Sequence, residues 1–262
     1  MMKLDDIFGV LPYGFSDFAL IADRLIDCRA KARLPQNAQT VISILFPSYL
    51  GEDFYESANV SRYAVSEDYH IVTAELLNEA AARLRERFPD NVFEVFVDNS
   101  PLPEVRCAVN AGLGCLGRNA LFINETYGSW VFLGEIVTDR HFPPTGTEMS
   151  LCSGCDACVN ACPMGAITDR GIDRENCLSF LSQKKGDLPE QIREKMKETG
   201  CAWGCDICQK VCPHNVGAAV TPIRRFFETA APHVSEDVDV EGRAFAWRGK
   251  AVIERNIRAI KK

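Results

Sequence analysis

Residues 151–167 read LCSGCDACVNACPMGAI, with cysteines at 152, 155, 158 and 162 and a proline directly after the last. Four thiols this close together suit a disulfide knot, a zinc site or an iron–sulfur site. A second copy of the pattern decides among them. CDICQKVCP (205–213) echoes CDACVNACP (155–163), so Cys205, Cys208 and Cys212 share the C-x2-C-x3-C-P spacing of Cys155, Cys158 and Cys162. A two-cluster ferredoxin run is C-x2-C-x2-C-x3-C-P, and its fourth cysteine ligates the other cluster. The loop brings three thiolates to one face of a cubane and leaves one iron to be bound from elsewhere. Proline then stops the loop from continuing as helix. Tetrahedral zinc uses paired C-x2-C knuckles and needs fewer thiols than two such triplets supply.

The second copy has no cysteine two residues before Cys205. Its first ligand comes from further off, and the candidates are Cys177 in DRENCLSF and Cys201 in GCAWGC. The preferred assignment puts Cys152, Cys155, Cys158 and Cys212 on one [4Fe–4S] cluster and Cys162, Cys177, Cys205 and Cys208 on the other. Each half then donates its last cysteine to its neighbour. Cys28, Cys107, Cys115 and the unused member of the 177/201 pair read as small buried hydrophobes.

Composition sets the wider bounds. With 262 residues, 47% hydrophobic and 25% charged, the chain reads as a globular protein able to bury a substantial core. The N-terminus MMKLDDIFGV lacks the apolar stretch of a signal peptide. No apolar run approaches the roughly 20 residues that span a bilayer. A cytoplasmic address without membrane attachment is expected, where thiols stay reduced and bind metal rather than pair. A net charge of −7 argues against a broad nucleic-acid-binding face. The local exception is RGKAVIERNIRAIKK (248–262), whose Val252, Ile253, Ile257 and Ile260 fall at helical spacing and predict a surface helix.

Before the cysteines, the pattern is mixed. SDFALIADRLIDC (16–28) predicts a capped helix, TVISILF (40–46) a buried strand, and EDYHIVTAELLNEAAARLRERF (67–88) a long amphipathic helix. NVFEVFVD (91–98) predicts a strand that delivers Asp98 to its end. NALFIN (119–124) and SWVFLGEIV (129–137) predict two more, joined by NETYG. Loose alternation of this kind predicts an α+β or three-layer domain. DRHFPPTGTEMS (139–150) reads as a linker, and LPEQIREKMKETG (188–200) as an exposed helix ended by glycine.

Two further stretches carry chemistry. Asp98, at a strand end in VDNSPLPE (97–104), is suited to proton transfer if burial raises its pKa; the competing role is a turn-capping aspartate. NAGLGCLGRNALF (110–122) contains Gly112, Gly114 and Gly117 as G-x-G-x-x-G, but EVRCAVNA precedes it where a dinucleotide fold needs a strand. Either the glycines let a flat cofactor approach the backbone, or they make a tight structural turn. SRYAVSEDYH (61–70) groups Arg62, Tyr63, Asp68, Tyr69 and His70, where a lone histidine is a poor metal ligand.

Together with ENCLSFLS and GCDICQKVCPHN, these stretches resemble the epoxyqueuosine reductase family, over roughly residues 40–215. The resemblance implies an α+β protein. A cobalamin-reductase-type α/β sandwich-like domain over residues 1–145 precedes a ferredoxin-like two-[4Fe–4S] domain over 146–220. A C-terminal extension over 221–262 is then helical and packed back on the body. It favours Cys177 over Cys201. It implies that the clusters pass electrons from an external ferredoxin- or flavodoxin-type donor to a base-off cobalamin, which reduces an epoxide on a modified nucleoside, free or in tRNA. It makes Asp98 the proton donor, and places Tyr69, His70, Gly112, Gly114, Gly117, Arg118 and Asn119 around the cofactor. No counterpart of the family's C-terminal helical-repeat domain is expected within these 262 residues, and Ser100, Val105, Cys115 and Arg118 depart from the family's usual residues. The alternative is a two-cluster electron carrier serving a partner enzyme.

Overall fold

The run TVISILFP (40–47) is buried at every position in the computed structural model, which describes residues 3–146, 152–169 and 171–261. A strand without a polar side must be covered on both faces, and that requirement organises the first half of the chain. Contacts divide the protein into two units. The first holds Met1–Pro47, His70–Gly117 and Leu121–Cys152; the second holds Ser48–Tyr69, Arg118–Ala120 and Ser153–Lys262.

In the first unit, helix α1 (Asp5–Phe8) leads into strand β1 (Tyr13–Asp17), which pairs with β2 (Thr40–Pro47). Helix α2 (Tyr69–Arg87), strand β3 (Phe93–Phe96), helix α3 (Glu104–Asn110), the hairpin β4 (Cys115–Leu116) and β5 (Phe122–Ile123), and β6 (Val131–Thr138) follow. The main sheet has the order β1-β2-β6-β3, antiparallel throughout. On one face, Val41, Phe96 and Val137 pack with Cys107, while Leu45 packs with Ala108 and Val109, so α3 covers it. On the other face, Ile44 and Phe46 meet Leu77 and Ala80 of α2. Gly134 lets α2 come close, since a Cβ there would stand 2.6 Å from Leu77 Cδ1. The arrangement is a three-layer sandwich. Alanine, leucine, glutamate and arginine favour α2 intrinsically, and Leu77, Ala80, Ala81 and Leu84 form its buried stripe.

The predicted helix over 16–28 does not form. Ser16 and Asp17 pair with Val41 and Thr40 in the sheet, so the residues expected to cap a helix are extended. Asp17 instead caps a single 3-10 turn, accepting from Ala19 N at 2.9 Å, and a second turn follows over Ala22–Arg24. The strand expected over 119–124 is reduced to Phe122–Ile123, because Ala120 has a left-handed backbone (φ 59°).

The second unit carries short elements: α4 (Ala157–Ala161), the hairpin β7 (Ile167–Thr168) and β8 (Gly171–Ile172), α5 (Leu178–Ser182), α6 (Glu190–Thr199), α7 (Ile207–Lys210), α8 (Arg224–Glu228) and α9 (Lys250–Ile260). Helices α4 and α7, one from each cysteine run, pack together, as do α6 and α9. Helix α6 ends on Gly200, left-handed at φ 64°. Its apolar side is buried rather than exposed: Ile192 and Met196 join Leu178 and Leu188 in a core that also receives Cys205 and Ile260. Helix α9 buries Val252, Ile253 and Ile257. Its Asn256, fully buried, donates to Ser182 O at 2.8 Å and Ala202 O at 2.7 Å, and Arg255 reaches Lys184 O at 2.8 Å. Three basic residues of this segment form ion pairs, Lys250 with Glu254, and Arg258 and Lys261 with Glu236. Among the described residues no helix is long and apolar enough to cross a membrane. Residues 147–150 of the expected linker lie outside the described residues, as does Leu151.

Candidate active site and cluster-binding site

Asp98 closes the turn that leaves β3, and its backbone is held in an unusual shape. Asp98 and its neighbour Asn99 both have left-handed φ values, 39° and 34°. Such conformations cost of order 1 kcal/mol each and persist only where the surroundings impose them. Asn99 N–H donates to Asp98 Oδ1 at 2.6 Å, Leu102 N–H to Ser100 Oγ at 3.1 Å, and Ile26 N–H to Pro101 O at 2.8 Å. Asp98 N–H donates to the carboxylate of Glu104 at the start of α3. The aspartate side chain is thereby aimed by its own turn, and its Oδ2 lies 2.8 Å from His70 Nε2. His70, at the start of α2, is thus a carboxylate partner.

This group borders a cavity of about 520 Å3, lined by Ile26, Cys28, Asp98, Leu102, Glu104 and Val109 among others. A volume of that order suits a small organic ligand. Cys28, expected to be a buried hydrophobe, is half-buried and lines the cavity; Cys115 is half-buried, and Cys107 is fully buried as expected. Burial, then the charge of Asp98, pushes the Glu104 carboxyl up to about 7, against the opposing pull of the Asp98 N–H and His70. Sequence patterning did not single out Glu104. Its signal was present, an acid at a helix start six residues after Asp98, but such acids usually only complement the helix dipole.

The glycine motif follows α3. At Gly112 (φ 74°) a Cβ would stand 2.8 Å from Gly146 Cα, and at Gly114 one would stand 2.1 Å from Ile123 O. Both glycines let the chain pass against its own backbone. Gly117 N–H donates to Leu121 O at 2.8 Å, closing the β4–β5 hairpin.

Arg118 and Asn119 belong to the second unit, beside the cysteines. Arg118 binds Asp156 at 2.7 Å, inside the first cysteine run, and Asp169 at 2.5 Å, just after it. Asn119, buried, faces the sulfur of Cys208 and favours its thiolate. The thiols of the second run are gathered. Burial, with Cys177 and Cys162 contributing, pushes Cys205 up to about 11, and burial, then Cys205 and Cys177, pushes Cys208 up to about 12. The sulfurs of Cys162, Cys177, Cys205 and Cys208 are thus near enough to sense one another's charge, and a bound cation would hold them as thiolates. Ala166 N–H donates to Cys162 Sγ at 3.3 Å, and the Ile207 N–H to Cys205. Cys201, by contrast, turns its thiol onto Trp203 O at 3.2 Å and Gly204 O at 3.5 Å. Among the described residues, no three His, Cys, Asp or Glu side chains converge as on a single metal ion; a cubane, with irons at separate corners, asks for no such convergence.

The SRYAVSEDYH stretch has a role that sequence reading missed. Asp206, inside the second cysteine run, is buried; it accepts from Ser61 Oγ, and from Arg62 N–H at 2.7 Å. Trp203 Nε1 donates to Tyr63 Oη at 2.6 Å, and Ser61 N–H to Trp203 O at 2.8 Å. Gly204 (φ 79°) sits so close to Ser61 that a Cβ would stand 2.5 Å from the serine Cβ. Residues 61–63 thus clamp the second cysteine loop, and Tyr69 stacks edge-on to Tyr63 at 6.5 Å.

Comparison with known proteins agrees with this geometry. The family model described as a 4Fe-4S double cluster binding domain matches residues 151–215, and that described as epoxyqueuosine reductase QueG, DUF1730, matches residues 29–99. The epoxyqueuosine reductase of Lactococcus garvieae is 34% identical over 257 residues, covering 88% of this chain and 71% of that protein. An epoxyqueuosine reductase solved with a tRNA-Tyr epoxyqueuosine-modified stem loop superposes with a TM-score of 0.80 at 27% identity, covering 97% of this chain and 78% of the other. The Bacillus subtilis enzyme, solved with its catalytic aspartate loop swung out of the active site, gives 0.77 at 25%, covering 95% and 76%. The chain spans from 50% to 71% of the length of the curated relatives it matches. Its mixed α/β architecture is that of the solved reductases, and its cysteine-rich part is a 4Fe–4S-binding domain. The chain belongs to the epoxyqueuosine reductase family of oxidoreductases.

Proposed function

We propose that the chain reduces an epoxide-bearing modified nucleoside of the epoxyqueuosine type, in tRNA or free. Electrons pass from an external ferredoxin- or flavodoxin-type donor through two [4Fe–4S] clusters, and Asp98 supplies a proton. The observation that carries this reading is the aspartate itself: a strained turn holds it at the mouth of a ligand-sized cavity, with His70 on one oxygen. A general acid must stand within hydrogen-bond reach of the atom it protonates, and such placement is costly to maintain without use. The related B. subtilis enzyme, whose catalytic loop carries an aspartate, supports the same role.

The cluster ligands follow the sequence pattern: Cys152, Cys155, Cys158 and Cys212 for one, and Cys162, Cys177, Cys205 and Cys208 for the other. The proximity of Cys162 and Cys177 to Cys205, and the engagement of Cys201 with its own backbone, support the second set. Asn119 and the Ile207 and Ala166 N–H groups favour the thiolates, and such hydrogen bonds raise a cluster's potential.

The family implies a cobalamin. The first unit offers it an apolar wall at Ile26, Leu102, Val109 and Leu116, with a proton donor at the edge of that wall. His70 and the loop of Gly112, Gly114 and Gly117 are the first-unit residues that would hold it. When bound, a corrinoid supplies a low-valent metal able to deliver electrons to a strained C–O bond. Asp98 protonates the departing oxygen, His70 orients the carboxyl, and the apolar walls exclude water. Electron transfer to a partner without a substrate of its own is the competing function, and the cavity and its acid speak against it. Anaerobic turnover of epoxyqueuosine, as nucleoside and as tRNA stem loop, tests the proposal. Alkene product whose formation is lost in Asp98→Asn is expected; cluster reduction without product would overturn it.

A further inference from the structure

Glu135 lies in the middle of β6, opposite Ser43 on β2 and Phe96 on β3. It points to the sheet face that α3 covers, because Phe96 and the flanking Val137 pack there on Cys107. The side chain is fully buried, and among the described residues neither carboxylate oxygen has a hydrogen-bond partner. Ser43 Oγ and Ser16 Oγ, on the same face of β2 and β1, are likewise buried and unpartnered. At the start of α3, Glu104 presents Oε1 without a partner too. A row of unpartnered polar groups beneath a helix is expensive in a protein interior unless it serves a purpose or holds water.

Proton counting supplies the purpose. Reducing an epoxide to an alkene breaks two C–O bonds, forms the C=C π bond and releases the oxygen as water. It consumes two electrons, from the external donor, and two protons. Asp98 holds one proton at a time. In the free chain its side chain is 48% exposed, but a substrate seated over the cavity covers that route to solvent. Glu104 lines the same cavity and binds the Asp98 backbone. We propose that Glu135 and Glu104 store the second proton beneath α3 and return it to Asp98 once Asp98 has discharged its own. The proposal rests on Asp98 being the donor.

The surrounding charges are compatible with it. Cys107, itself beside Arg106, faces the pair from α3, Asp98 faces Glu104 from its turn and His70 from α2; Glu94 on β3 is held by Arg33. Burial, then Glu104, keeps the Glu135 carboxyl well above its ordinary range.

Three variants of the anaerobic holoenzyme test this: Glu135→Gln, Glu104→Gln and Asp98→Asn. Infrared spectroscopy at pH 7 should show a protonated-carboxyl band in the parent that is missing in Glu135→Gln. With epoxyqueuosine nucleoside, Glu104→Gln should lower kcat about 100-fold at pH 6, where the parent carboxyl holds its proton, with KM unchanged. It should also remove the alkaline fall in rate near pH 7. If Glu135→Gln does not fold, the Glu104→Gln profile decides alone. A Glu135 ionised at pH 7, or a Glu104→Gln pH profile superimposable on the parent's, overturns the proton store. In that event an inactive Asp98→Asn leaves the donor role of Asp98 standing, whereas an active Asp98→Asn overturns both.

Discussion

Replacing Glu104 by glutamine should flatten the pH dependence of stability. The Glu104 carboxyl moves from 4.5 in the unfolded chain to about 7 in the folded one, a difference of about 2.5 pH units. At about 1.36 kcal/mol per unit, this amounts to ~3 kcal/mol. A carboxyl raised on folding binds its proton more tightly in the native state. Its stabilising contribution is therefore complete below about 4.5 and lost as pH rises through about 7. Glutamine mimics the protonated form at every pH. Urea unfolding of parent and variant at pH 5 and pH 8, with clusters intact, measures the change. The parent should lose ~2–3 kcal/mol more than Glu104→Gln over that interval. Parallel curves would mean that Glu104 ionises in the fold as it does in water, and would refute the placement of its carboxyl against Asp98 in a dry site.

Asp98→Asn should lower turnover ~100- to 10,000-fold while the visible absorption of the clusters is unchanged. Cys177→Ser should cost one cluster, halving the bound iron, whereas Cys201→Ser should leave iron content intact; iron analysis of the two variants separates them. Asn256→Leu strands the carbonyls of Ser182 and Ala202 and should destabilise the second unit by ~2–4 kcal/mol, read as a lower urea midpoint. Gly204→Ala forces a Cβ toward Ser61 at a left-handed position and should cost ~1–3 kcal/mol, with loss of cluster during purification.

Features with a regular period or a fixed spacing were legible in the sequence. The unbroken apolar run of β2 predicted a strand covered on both faces, α2 and α9 kept their helical stripes, and Gly200 ended α6. The cysteine spacing marked out the cluster domain that the family model also matches. Tertiary context overrode local signals elsewhere. Residues 16–28 have a helical pattern, but pairing with β2 claims Ser16 and Asp17. The G-x-G-x-x-G loop could be read as a cofactor cradle or as a tight turn, and only the fold shows that Gly112 and Gly114 let the backbone pass closely against itself. No local pattern showed that Ser61 and Tyr63 would clamp a loop some 140 residues later, or that Glu135, in an apolar strand, would be left without a partner. Long-range polar contacts leave no periodic trace.

The proposed reduction depends on two cubanes held by the cysteine-rich part of the chain. Iron and acid-labile sulfide analysis of protein purified under argon, joined to electron paramagnetic resonance after reduction, tests it most directly. The account predicts about eight irons and eight sulfides per chain, with the interacting signals of two reduced [4Fe–4S] clusters. Stoichiometric zinc, or iron without labile sulfide, would contradict it.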